Sequence, residues 1–307
     1  MPYLHTDHRG QGQRRLNKKG RRKRRRKLLH RGALLLAVIL CLGAAKEIAI
    51  DRILMPAVGL ITDVQEENVI ARDAGSGISD AEVREKLREQ ARSSDKVKEI
   101  LEQYEKYPEE LLEMVANNVE TADFVLDYPE KKDSVPADSI GEVTRGQIPL
   151  LLQWDRRWGY APYGDNMIAV SGCGPTAVAM VAAGLTGDAQ ITPWKVAQYA
   201  QEQGYYAGDA GTSWELMTEG AQHFGVDGEE ISLSESEIFS ELESGSPIIC
   251  SMRPGDFTTT GHFIVLTGTD GEKIRVNDPN SKARSAQLWD YETLEYQINN
   301  LWAFTAL

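Results

Sequence analysis

Apolar and polar positions alternate differently along successive parts of the 307-residue chain. Residues 32–45 are uncharged and rich in Leu and Ala. As a helix they would rise about 21 Å, short of the roughly 30 Å hydrocarbon core of a bilayer. Extension to Ile50 completes a span and leaves Lys46 and Glu47 near the outer interface. Farther on the pattern turns polar with helical spacing. Ser79-Asp80-Ala81-Glu82 predicts a capping box opening a helix to about Arg92. Ser94-Asp95 predicts a second cap, followed by Val97, Ile100, Leu101 and Tyr104 on one face. Pro108-Glu109-Glu110 suits a third start, with Leu111, Leu112 and Val115 turned inward. Residues 73–77 read as a joint and 128–146 as a looser connector. After residue 147 the apolar runs 247–252 and 263–267 predict buried strands, and 273–277 alternates. Helical patterns lie near 175–184, 193–203, 213–224 and 234–244. Helices early and strands late predict an α+β fold rather than a doubly wound parallel sheet.

Composition adds an asymmetry. The chain is 41% hydrophobic and 26% charged, an ordinary globular balance. Its net charge of −12 combines a basic arm and an acidic body: residues 1–31 hold 13 of the 34 Lys and Arg against one acid, Asp7. A basic run at 21–27 directly before an apolar stretch follows the positive-inside rule. The expected arrangement is therefore single-pass, with the arm in the cytoplasm and the acidic C-terminal part outside. The alternative is a cleaved signal with Gly43-Ala44-Ala45 as the small-residue site and a secreted product. No aromatic residue interleaves the basic run, so a nucleic-acid partner is not expected. Four segments result: a cytoplasmic arm 1–31, an anchor or signal 32–50, an acidic helical stalk 51–145 and a head 146–307. Three cysteines rule out a disulfide scaffold, and no paired C-x-x-C or H-E-x-x-H spacing occurs, so neither a metal nor a cofactor is expected.

The head carries the chemistry. In Ser171-Gly172-Cys173-Gly174-Pro175 two glycines flank a cysteine, and Pro175 fits the first turn of an Ala-rich helix. A thiol there meets the positive end of the helix dipole, which favours the nucleophilic thiolate. Cys250, inside a strand-like run, reads instead as a small buried hydrophobe, and Cys41 belongs to the apolar segment. A thiolate nucleophile needs a histidine. His5, His8 and His30 lie in the arm, and His223 ends an apparent helix, where a cation suits the dipole. His262, behind Gly261 and ahead of an apolar strand, remains as the base. Asp278 in Asn277-Asp278-Pro279 returns to it if residues 269–272 form a hairpin turn; Asn277 would face the other side.

Taken in order, Gly172-Cys173-Gly174-Pro175, Gly261-His262-Phe263-Ile264-Val265-Leu266 and Asn277-Asp278-Pro279 resemble the papain-like cysteine peptidases related to bacteriocin-leader (double-glycine) peptidases, peptidase family C-39. Residues 148–158, and Tyr107-Pro108-Glu109-Glu110 with Phe124-Val125-Leu126-Asp127-Tyr128-Pro129, are similar to the opening and helical extension of stand-alone bacterial members. The resemblance covers roughly 95–307. It implies a papain-like fold in which Cys173 is the nucleophile, His262 the base, Asp278 its orienter and Gln153 an oxyanion donor. Gln153 departs from the usual pattern: it lies twenty residues before Cys173, which requires an insertion around 160–170 to keep the geometry. No transporter portion follows, so export-coupled leader cleavage is not implied.

The expected function is that of a membrane-anchored, extracytoplasmic cysteine peptidase acting on a peptide or protein. Acyl transfer to an amine, as in transglutaminase-like enzymes, uses the same residues. A non-catalytic binding module on the same fold is the rival from another class. The oligomeric state leaves no mark on the sequence. Of the tryptophans, Trp158, in the loop-like 158–164 stretch, is a candidate for lining the cleft; packing is the ordinary role of the others.

Overall fold

The computed structural model describes residues 69–70, 78–208 and 211–307. The basic arm and the apolar segment 32–50 lie outside the described residues. Among the described residues no helix is long and apolar enough to cross a membrane.

A two-residue strand, β1 (Val69–Ile70), precedes four helices. The first, α1 (Asp80–Gln90), opens on a capping box in which Ser79 and Glu82 satisfy each other's backbone N–H groups. Helix α2 (Asp95–Glu102) is capped by the Ser94 side chain, which accepts from the Val97 N–H. Helix α3 (Glu109–Asn117) starts behind Pro108, and α4 (Ala122–Lys131) carries Pro129 within it. The helix thus continues through Tyr128 and Pro129, where the apolar pattern had predicted a connector. Val83, Leu87, Val97, Ile100, Leu111 and Val115 are fully buried and pack together with Phe124 and Val125. The spacing of three to four residues puts these side chains on the inner stripes of their helices.

A small hairpin, β2 (Pro162–Tyr163) and β3 (Asn166–Met167), leads into a short helix α5 (Ile168–Ser171) and then the long α6 (Cys173–Thr186). This hairpin occupies the position of the expected insertion. Helix α7 (Pro193–Glu202) begins at the Thr192 cap with Pro193 in its first turn and packs along α6. Where one helix was predicted over 213–224, the chain forms β4 (Thr212–Ser213), a 3-10 turn at Trp214–Leu216 and a four-residue helix α8 (Glu219–Gln222). Strand β4 pairs antiparallel with β1.

The remainder is β5 (Val226–Glu230), α9 (Glu235–Ser244), β6 (Ile248–Met252), β7 (His262–Asp270), β8 (Lys273–Asn277), α10 (Lys282–Ser285), β9 (Leu288–Asp290), α11 (Tyr291–Glu295) and β10 (Ile298–Ala306). The six strands from β5 to β10 form one antiparallel sheet in the order β5-β10-β6-β7-β8-β9. Ile249, Phe263, Val265, Trp302 and Phe304 face α6, while Ile248, Cys250, Ile264, Leu266, Ile274 and Val276 pack with Ile238 and Leu242 of α9. Alternate residues of each central strand thus enter opposite layers, which is the period-two geometry of a strand buried on both faces. The fold is α+β.

Candidate active site

Cys173 is the first residue of α6, and Gly172 before it stands at the helix cap. The closeness of the surrounding chain explains the glycines. A Cβ on Gly172 would come within 2.5 Å of the Ile168 carbonyl, and one on Gly174 within 2.8 Å of the Thr212 side chain. The thiol itself is fully buried and belongs to an apolar cluster that includes Tyr163, Ala177, Phe263 and Val265. Thr212 also hydrogen-bonds the Tyr163 hydroxyl at 2.9 Å, so β4 lies close to the Gly172-Cys173-Gly174 turn.

His262 is the first residue of β7, the strand that lies against α6. Its Nε2 is 2.8 Å from Asp278 Oδ1, and both residues have no exposed surface. The hairpin that delivers Asp278 has a two-residue turn at Gly271 and Glu272, with Gly271 in the left-handed region at φ 62°. Its register shifts by one between Leu266 and Gly268. Past that bulge Val265 faces Asn277, so the next residue, Asp278, falls on the face shared by Ile264 and His262. Without the bulge Asp278 would sit on the face of Val265, turned from His262. Asn277 points the other way and donates from Nδ2 to the Ile148 carbonyl at 3.2 Å.

Asp278 has further partners. Arg284 donates from Nε to Oδ2, the Asn280 N–H donates to Oδ1 at 2.7 Å, and the Ser285 hydroxyl accepts from the Asp278 N–H at 2.8 Å. Burial pushes the Asp278 carboxyl up, but the His262 ring and the Arg284 guanidinium outweigh it and hold the carboxyl below the usual carboxylate range. A carboxylate here therefore stays ionised and fixes the orientation of the imidazole.

Gln153 is buried, and its Nε2 donates to the Ala169 carbonyl at 2.8 Å, in the short helix just before Gly172. Its backbone N–H donates to the Pro279 carbonyl at 2.8 Å. One side-chain amide hydrogen is thereby engaged with Ala169, and the residue is fixed between the short helix before Cys173 and the Asp278-Pro279 corner.

Of three secondary roles expected from the sequence, only that of Trp158 is overturned. Trp158 is 1% exposed and its indole N–H donates to the Leu152 carbonyl at 2.8 Å, so it packs in the core rather than lining a cleft. His223 stacks on Tyr199 with centroids 4.0 Å apart, at the end of α8. Cys250 is buried in β6, and burial pushes its thiol pKa upward.

Arg284, Asn118 and Glu120 escaped the sequence reading. Asn118 Nδ2 donates to the Asn280 carbonyl at 2.6 Å. The Glu120 carboxylate accepts from the Ser281 hydroxyl at 2.5 Å, the Lys282 N–H at 3.0 Å and the Ala283 N–H at 3.3 Å. The usable signal was Ser281 three residues before Arg284, a cap that opens a turn immediately after Asp278-Pro279. Among the described residues no group of three or more His, Cys, Asp or Glu is placed to hold a metal ion.

The described residues thus place a buried His262–Asp278 pair at the start of a strand that packs against a helix beginning with a cysteine, in an α+β fold. Residues 146–305, more than half of the chain, match the Peptidase C39 like family, and the chain belongs to that family. Among solved structures it is similar to the peptidase domain of Streptococcus ComA, a bi-functional ABC transporter involved in a quorum-sensing pathway; identity is 17%, TM-score 0.36, with 45% of this chain and 93% of that one covered. It is also similar to a double-glycine-motif protease from an AMS/PCAT transporter solved in complex with a leader peptide; identity is 18%, TM-score 0.34, covering 54% of this chain and 98% of that one. No curated protein matches the chain.

Proposed function

We propose that the chain is a membrane-anchored, extracytoplasmic cysteine peptidase of papain-like arrangement, with Cys173, His262 and Asp278 as its triad. In this reading the Cys173 thiolate attacks a peptide carbonyl carbon. The C–N bond breaks as the His262 imidazolium gives its proton to the leaving amine, and an acyl thioester remains. Water, losing a proton to His262, then cleaves the thioester and regenerates the thiol. Asp278 orients the ring, and the Cys173 backbone N–H together with the second amide hydrogen of Gln153 receives the oxyanion. The observation that carries the reading is the buried 2.8 Å His262–Asp278 contact within a chain of the Peptidase C39 like family.

The burial of Cys173 favours a second reading, a non-catalytic binding module on the same fold. Iodoacetamide on the full chain near pH 7, with mass spectrometry at Cys173, separates the two. The peptidase reading expects alkylation faster than that of a free cysteine and at least about tenfold slower in His262→Ala. A rate no faster than free cysteine and unchanged in that variant supports the binding module. The anchor reading is supported by the basic arm beside the apolar stretch 32–50. Protease added to intact cells should digest the head and spare the arm; a released protein beginning near residue 46 would mark a cleaved signal instead.

A further inference from the structure

We propose that Glu120 and Asn118, outside the family-matched stretch 146–305, are positioning residues that hold the Asp278 loop in register with His262. Both belong to the turn between α3 and α4, in the helical extension. Asn118 Oδ1 accepts from the Glu120 N–H at 3.1 Å, which fixes the Glu120 backbone, while Asn118 Nδ2 donates to the Asn280 carbonyl. That same carbonyl accepts the Trp154 indole N–H at 3.0 Å. Glu120 spans the three donors that open α10, the Ser281 hydroxyl and the Lys282 and Ala283 N–H groups.

The consequence passes along a continuous set of bonds. Ser281, held by Glu120, caps α10 by accepting the Arg284 N–H at 3.1 Å. Arg284 then donates to Asp278 Oδ2, and Asn280, held by Asn118, donates its backbone N–H to Asp278 Oδ1. Asp278 meets His262 through that same Oδ1. The loop 278–285 has only one turn of helix of its own, so its geometry depends on what grips it from outside. Hydrogen bonds to an ionised carboxylate are the stronger kind, and one carboxylate taking three of them, two from N–H groups and one from a hydroxyl, fixes both position and rotation. The extension is on this account part of the catalytic apparatus and not a spacer.

The placement stands on these contacts alone; its catalytic consequence rests on the peptidase reading above. The test uses the full chain and two readouts. The first is the ¹⁵N resonances of the His262 ring, with wild type and Asp278→Asn as the two references. Glu120→Ala should move them toward the Asp278→Asn values, Glu120→Gln less far because it keeps one acceptor, and Asn118→Asp, which replaces the donor to the Asn280 carbonyl with a charged acceptor, in the same direction. The second is peptide hydrolysis: Glu120→Ala should lower kcat on the order of tenfold to a hundredfold with KM little changed, and should add nothing in the Asp278→Asn background. His262 resonances in Glu120→Ala identical to wild type overturn the proposal, as does an additive loss in the double variant. If wild type hydrolyses nothing yet the resonances shift as described, the positioning holds and the peptidase reading fails.

Discussion

Asp278 takes hydrogen bonds from a ring nitrogen, a guanidinium and a backbone N–H without contact with solvent, and its charge state therefore couples to folding. In the unfolded chain its carboxyl titrates near 3.9, whereas in the folded protein it lies lower. The folded state therefore binds its proton less readily. The stability from this difference is complete above the unfolded value and is lost as the pH falls through the lower, folded one. Asp278→Asn has no such group and also leaves the Arg284 and His262 donors facing a neutral amide. It should cost about 3–5 kcal/mol at neutral pH, the usual penalty for removing one partner of a buried charge pair. Urea unfolding of both proteins at pH 7 and pH 3 checks the sign: the wild-type advantage should shrink in acid. An advantage that grows on acidification would contradict the assignment. The residues of this pair were readable from the sequence because few candidates exist: of five histidines three lie in the arm, and only His262 opens an apolar strand. Arg284 and Glu120 were not, since arginines and glutamates are common on surfaces and only the folded loop shows what they grip.

At the level of elements, side-chain caps and period-two runs were legible, and register was not. Ser79, Ser94 and Pro108 announced three helix starts, and the β6, β7 and β8 runs lay where their β-branched and apolar residues put them. The bulge is marked locally only by Gly268, at positive φ within β7, although it decides which face Asp278 occupies. Strands β5 and β10 were missed because neither is continuously apolar: β5 carries Asp227, Glu229 and Glu230, and β10 includes Asn299 and Asn300. The helix predicted over 213–224 is interrupted at Met217 and Thr218, where the Met217 carbonyl lies against Gly228 of β5. A Cβ on Gly228 would lie 2.0 Å from the Met217 carbonyl and 2.7 Å from the Phe304 ring. The backbone of β5 is therefore seated against the 3-10 turn region by the absence of a side chain. Gly228→Ala should destabilise the protein by about 1–3 kcal/mol, since the obstacle is backbone and cannot rotate away. Gly271→Ala meets no neighbour within 4 Å, and its cost of about 1–2 kcal/mol should come from the positive φ alone, so that Gly271→Asn restores part of it. Paired melting curves distinguish the two causes: Gly228→Asn should be no better than Gly228→Ala.

Over the whole molecule, the helical extension and the head share one apolar interior. The cluster built on Val83, Ile100, Leu111 and Phe124 also includes Leu152, Trp154, Tyr160, Ala169 and Val170 from the head. Phe124 lies flat on Tyr160, with ring centroids 4.1 Å apart and planes 11° apart, and the Tyr160 hydroxyl donates to the Phe124 carbonyl at 2.8 Å. Gly159 permits this stacking, since a Cβ there would come within 2.7 Å of the Phe124 ring. Tyr160 is eight residues before α5, which leads directly to Cys173, so a cavity at Phe124 opens beside the chain that carries the Cys173 turn. A shared core also means that neither part keeps its own apolar surface covered once the other is lost. Phe124→Ala removes a fully buried aromatic ring and should cost about 3–5 kcal/mol. Because the loss falls on both parts, thermal unfolding should remain a single transition, displaced to lower temperature by the same amount whether followed by helical circular dichroism or by exposure of Cys250 to a thiol reagent. The second probe reports the head alone, since Cys250 sits in β6 and its buried thiol stays protonated while the sheet is intact. Helical signal falling well before Cys250 becomes reactive would mean that the extension melts independently, and the common core would then contribute nothing to holding the Asp278 loop.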